Sequence, residues 1–137
     1  MKKIIIEKKL CAIIFNHSDL KIKKNGTKFL TDAKLNLQIG SMKHKKNHEI
    51  QPHYHPNQKR VLNKTSEVLI INSGELKINF FTKNFVKIKS VLLKKGYVAL
   101  LLDGVHGFKV IKDCDFIEIK QGPFLTKKDK SLIKNIK

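Results

Sequence analysis

Apolar and polar residues alternate along most of this chain with the period of two that a half-buried strand requires. Leu35, Leu37 and Ile39 alternate with Asn36 and Gln38, and Leu76, Ile78 and Phe80 alternate with Lys77 and Asn79. β-Branched and apolar runs predict further short strands: Lys3 to Phe15, Glu67 to Asn72, Val86 to Ser90, Tyr97 to Leu102, Phe108 to Ile111 and Phe116 to Ile119. Turn residues separate them at Asn25-Gly26, Ser73-Gly74, Lys83-Asn84, Asp103-Gly104 and Gly122-Pro123. Asn47 sits in a polar hinge where asparagine tolerates a left-handed turn. Only Thr126 to Ile136 reads as helical, with Thr126 as its cap and Leu132, Ile133 and Ile136 on one face. Many short strands with closely spaced turns predict an all-β antiparallel sandwich or barrel. No repeat or linker interrupts the pattern, so residues 1–137 read as one domain.

Composition changes this picture little, and charge only somewhat. Cys11 and Cys114 are neither numerous nor closely spaced, so they offer no disulfide framework and point to a reduced, cytoplasmic setting. No apolar run reaches the ~20 residues of a membrane helix, and Leu10 to Phe15 is too short for a signal-peptide core. The net charge is +18, yet Arg60 is the only arginine among 29 basic residues. The lysines are scattered from Lys2 to Lys137 and accompany abundant isoleucine and asparagine, a compositional bias more than a binding patch. No nucleic-acid recognition motif accompanies them, so specific nucleic-acid binding is not expected, and weak polyanion binding is the reading the charge leaves open.

Histidine carries the candidate chemistry. In His53-Tyr54-His55 the two imidazoles would share one face of a strand, their Cα atoms ~6–7 Å apart, and so converge on one cation. Glu67 opens an otherwise apolar strand, where a lone carboxylate is costly unless paired or bound to metal. His106 follows the Asp103-Gly104 turn. Arg60 is a candidate substrate residue, because a planar guanidinium holds a carboxylate or phosphate bidentately where lysine does not. Glu118 and Lys120 are the other substrate-binding candidates if they face inward. An outward orientation, with Ile117 and Ile119 filling the core, is the arrangement strand alternation favours. Tyr54 points away from its histidine neighbours toward packing, and His17, His44 and His48 lie in polar, solvated contexts, with His48 a reserve ligand.

These residues resemble the two motifs of the cupin superfamily. His53, His55, Glu67 and Gly74 match the first, including its spacing of six residues between glutamate and glycine, and Gly96, Gly104 and His106 match the second more loosely. The gap from His55 to Glu67 is longer than the family's. Asn47 stands at its first glycine, Leu102 at its proline, and His106 comes one residue early. The resemblance covers residues 35–124, flanked by an N-terminal β extension over 1–34 and a basic tail or short helix over 125–137. It implies a double-stranded β-helix, the cupin jelly-roll barrel, holding a divalent ion on His53, His55, Glu67 and His106. Fe, Mn, Ni and Zn all suit that donor set. The segments Arg60 to Glu67 and Glu118 to Phe124 resemble small cupins associated with surface-polysaccharide biosynthesis.

The leading expectation is therefore a metal-dependent enzyme of isomerase or epimerase, lyase or dioxygenase type, acting on a small anionic metabolite or sugar derivative. A non-catalytic sensor or sugar-binding cupin is the alternative. Apolar residues such as Val68 and Ile70 need a cover, and a homodimer is the commonest way to supply one.

Overall fold

The computed structural model describes residues 1–125 and 129–133. They form two compact units: Met1–Asp19 together with the chain from Lys64 onward, and Leu20–Asn63.

The first unit is all β. An N-terminal hairpin pairs β1 (Lys2–Ile6) with β2 (Lys9–Phe15). Glu7 and Lys8 both hold positive φ at its tip, as a two-residue hairpin turn matching the strand twist requires. A four-residue helix, α1 (His17–Leu20), follows, its start closed by Asn16 Oδ1 accepting from Asp19 N at 2.9 Å. Beyond the second unit come β5 (Glu67–Phe81), β6 (Lys87–Lys94), β7 (Val98–Leu101) and β8 (Val105–Lys120). The strand order is β1-β2-β7-β5-β6, with β8 along the other side of β5, and every pairing is antiparallel.

Four of the expected short strands are halves of two long ones. Glu67 to Asn72 and Leu76 to Phe80 are one 15-residue strand, and Phe108 to Ile111 and Phe116 to Ile119 one 16-residue strand. The register between β5 and β8 shifts around Ser73–Leu76. Gly74 sits there at φ +73°, and a Cβ on it would lie 1.8 Å from the Asp113 carbonyl oxygen, so glycine alone permits this crossing.

At that bend the β5–β8 ribbon folds back on itself. Glu67 and His106 pair with opposite ends of the ribbon, Glu67 with Lys120 and His106 with Phe80. A straight strand would hold those ends roughly 40 Å apart, yet His106 Nε2 lies 3.2 Å from a Glu67 carboxylate oxygen. The fold encloses the core. Leu69, Ile71, Ala99, Leu101, Ala12 and Ile14 come from one arm and Leu76, Ile78, Phe80, Val91 and Leu93 from the other, with Ile4 and Ile6 beside them. Ile13, Leu100 and Val68, paired in register across three strands, alternate to the reverse face and are buried too.

The all-β expectation is met, but among the described residues the sheet stays open, without closing into a barrel. β1 and β2, expected as an extension, are strands of the main sheet because β2 pairs along β7.

The second unit holds a two-stranded sheet, β3 (Gly26–Phe29) with β4 (Gly40–Lys43). The strand expected at Leu35 to Ile39 is a turn-rich connection instead, and no regular element covers residues 44–66, including His53 to His55. Asn47 adopts the expected left-handed conformation, φ 65°. Of the helix expected over Thr126 to Ile136, residues 126–128 and 134–137 lie outside the described residues, and 129–133 form no regular element. Among the described residues no helix is long and apolar enough to cross a membrane.

Candidate functional site

The folded ribbon leaves a cleft of about 1040 Å³ where its two ends meet. The turn from β7 to β8 builds one wall. Leu102 N and Asp103 N both donate to the Cys11 carbonyl of β2, at 2.8 and 3.3 Å, which fixes the turn to the sheet. Gly104 is at φ +86° with Cys11 Sγ 3.0 Å from where a Cβ would stand, so the turn is tight and brings His106 to the mouth of the core. Glu67 comes from the first residue of β5, opposite Leu101 on one side and Lys120 on the other.

His106 and Glu67 form the central contact. Their side chains are about one-quarter and one-fifth exposed. The hydrogen bond with His106 holds the Glu67 carboxyl below the usual carboxylate range, against the opposing effect of burial. The same bond raises the His106 pKa above its ordinary 6.5, again against burial. His106 Nδ1 lies 3.3 Å from the Gly104 carbonyl oxygen. With an acceptor at each ring nitrogen, the imidazolium, which carries two N–H donors, is the form that satisfies both.

The structure brings four of the seven expected site residues to this cleft: Glu67, His106, Glu118 and Lys120. The inward option for the last two is the one realised. Register pairs Glu118 with Leu69 and Phe116 with Ile71, so the even-numbered residues of this arm follow the core face, while Ile117 and Ile119 are each about half exposed. Tertiary pairing overrides the apolar-inward expectation here because β8 is an edge strand, paired among the described residues with β5 alone. Lys120 is ion-paired with Asp129 and lies 5.2 Å from the centre of the Phe124 ring.

Lys64, Asp103, Phe124 and Asp129 also line the cleft and were not expected there. Lys64 and Asp103 form an ion pair across 39 positions of sequence, which no local pattern displays. One sequence signal bears on them: Glu67, Asp103, Glu118 and Asp129 are four of only 11 acidic residues in a strongly basic chain. The cleft is thus charge-balanced where the rest of the surface is basic, which disfavours it as a polyanion groove.

His53, His55 and Arg60 belong to the second unit and are exposed. The His53 and His55 rings lie edge to face, centroids 5.4 Å apart, with His53 Nδ1 2.9 Å from the Gln51 carbonyl. Tyr54, expected in packing, is 83 % exposed, because no strand orients it inward. His44 is half-buried and stacks on His48 at 4.1 Å, and its Nε2 lacks a hydrogen-bond partner among the described residues. Among the described residues no three His, Cys, Asp or Glu side chains gather closely enough to hold a metal ion. The Glu67–His106 pair by itself offers two donors, short of the three protein ligands of a typical catalytic zinc site.

Comparison with protein-family models, with curated proteins and with solved structures gave no match to this chain.

Proposed function

We propose that this protein binds a small polar molecule, sugar-like in its hydroxyl groups, in the cleft of its first unit, and that Glu67 and His106 are the acid–base pair that addresses it. The observation that carries the reading is their hydrogen bond inside a half-enclosed cleft beside Glu118 and Lys120. A ligand hydroxyl entering here accepts from His106 Nε2 and donates to Glu67, so one internal bond becomes two ligand contacts. Carboxylates supply directional acceptors for hydroxyls, and the exposed ring of Phe124 supplies an apolar face for a pyranose to lie on. The protonated imidazole is also placed to serve as a general acid and the Glu67 carboxylate as a general base, the pairing an isomerase or epimerase uses.

The reading extends to a cupin-type domain in a reduced cytoplasmic setting, which rests on the motif resemblance and on two free cysteines. A panel of sugar nucleotides, free sugars and small hydroxy acids, screened by ligand-observed NMR, tests it. Binding by one class, lost in both Glu67→Gln and His106→Gln, is the expected result. Binding that survives both substitutions removes the pair from the site. Turnover of the bound class separates an enzyme from a sensor.

The divalent metal on His53, His55, Glu67 and His106 is proposed on the resemblance alone. Stoichiometric Fe, Mn, Ni or Zn in untagged protein, lost in His53→Ala, supports it. Metal content unchanged by that substitution removes it.

A further inference from the structure

The three edges of the sheet in the first unit differ in how they are guarded. Edge strands expose unpaired backbone N–H and C=O groups and are templates for pairing with another chain unless charge, shortness or a cover prevents it. β1 is short and carries Lys2 and Lys3; β6 carries Lys87, Lys89 and Lys94. Neither contains an acidic residue, so a second copy of either edge would meet like charge. β8 is the longest strand, and among the described residues it pairs only with β5. It exposes Val110, Ile111, Ile117 and Ile119 to between 43 and 53 %. Its charges are largely segregated along its length: Lys109 and Lys112 come first, then Asp113, Asp115 and Glu118, before Lys120, ion-paired with Asp129, closes the strand.

We infer that β8 is a self-association edge and that its partner is β8 of a second copy of this chain, paired antiparallel about a two-fold axis. Antiparallel pairing sets the basic half of each strand against the acidic half of the other, and each such contact occurs twice in an isologous interface. The bend of β8 does not obstruct this pairing. A two-fold axis through the bend exchanges the two arms of the strand, so the bends of the two copies coincide. Pairing there continues the sheet across both subunits and gives the isoleucines of the outer face cross-strand neighbours. A partner of uniformly acidic or basic character would satisfy only half of the edge, which is why a copy of the same strand fits best.

Sedimentation at ~0.15 M salt is expected to show a dimer for the full chain. The doubly reversed variants K109E/K112E and D113K/D115K are each expected to self-associate at least ~tenfold more weakly. Their equimolar mixture is expected to regain the dimer, because a predominantly acidic edge then meets a predominantly basic one. The neutral variant K109Q/K112Q, which removes charge without creating repulsion, is expected to fall between wild type and the reversals. A monomeric wild type throughout the micromolar range overturns the proposal. So does a dimer that both reversals leave intact, and so does a mixture of the two reversed chains that stays monomeric.

Discussion

The two units use the same lysine-, isoleucine- and asparagine-rich alphabet and reach opposite outcomes. Among the described residues of the first, nineteen apolar side chains are buried, including Phe15, Phe80, Leu69 and Leu100 at 2 % exposure or less. In Leu20–Asn63 no apolar side chain is buried: Phe29, Met42 and Ile50 are each more than half exposed, and Thr31 is the one buried residue. The difference is one of strand pairing more than of content. Strand-period alternation on β2, β5, β6 and β7 lets each apolar residue meet another across a register, and each such burial contributes ~1.5–3 kcal/mol. In the second unit the one strand-period run, Leu35, Leu37 and Ile39, lies in a turn-rich connection and forms no strand, and the other apolar residues are scattered among lysine, asparagine and histidine, so their burial has nothing to assemble around. Stability is therefore concentrated in the unit that holds the cleft, and the second unit belongs to the low-stability end of the molecule.

The sharpest way to break that contrast is a matched pair of truncations. Phe80→Ala is expected to cost ~3–5 kcal/mol in chemical denaturation, whereas Phe29→Ala, on an exposed ring, is expected to stay within ~0.5 kcal/mol. Equal costs would show that the second unit packs as tightly as the first. Gly74→Ala comes next. It imposes positive φ on alanine and drives a methyl into the Asp113 carbonyl, so a loss of at least ~2 kcal/mol is expected, with opening of the bend that joins Glu67 to His106.

The pair itself gives a smaller, pH-dependent effect. His106→Gln is expected to lose ~1.5–2 kcal/mol where both partners are charged. The Glu67 pKa is lowered, so its contribution is full above the ordinary 4.5 and is lost as pH falls through the lowered value. The His106 pKa is raised, so its contribution is full below the ordinary 6.5 and is lost as pH rises through the raised value. The difference between wild type and variant should thus be greatest between pH 4.5 and 6.5 and shrink on both sides. A flat difference across pH would mean that the bond is not ionic. Smallest of all, His53→Ala and His55→Ala should each shift stability by less than ~0.5 kcal/mol, since both rings are exposed. Amide exchange should show residues 44–63 unprotected beside a protected β5; protection there would place the second unit among the ordered elements.

Much of the strand content was legible in advance, because alternation at Leu76, Ile78 and Phe80 and the turn at Asp103-Gly104 are local facts. The site was legible in part. Glu67 stood out as an acid opening an apolar strand, and His106 as an imidazole after a turn, but nothing local shows that they meet. His53 and His55 stood out equally, and the strand that would have aligned them does not form, since Pro52 and Pro56 flank a polar stretch with no partner to pair with.

The amino-acid order by itself determined that this chain is β, where its turns fall, and which few residues carry titratable chemistry, because hydrophobic period and turn preference act within a few positions. Tertiary structure alone decided that two pairs of short strands are two long bent ones, that Glu118 and Lys120 line the cleft, and that an acid and an imidazole 39 positions apart are hydrogen-bonded. Those outcomes depend on register across β5 and β8 and on a fold at Gly74 that only a facing backbone defines, and neither quantity is written in any local stretch of sequence.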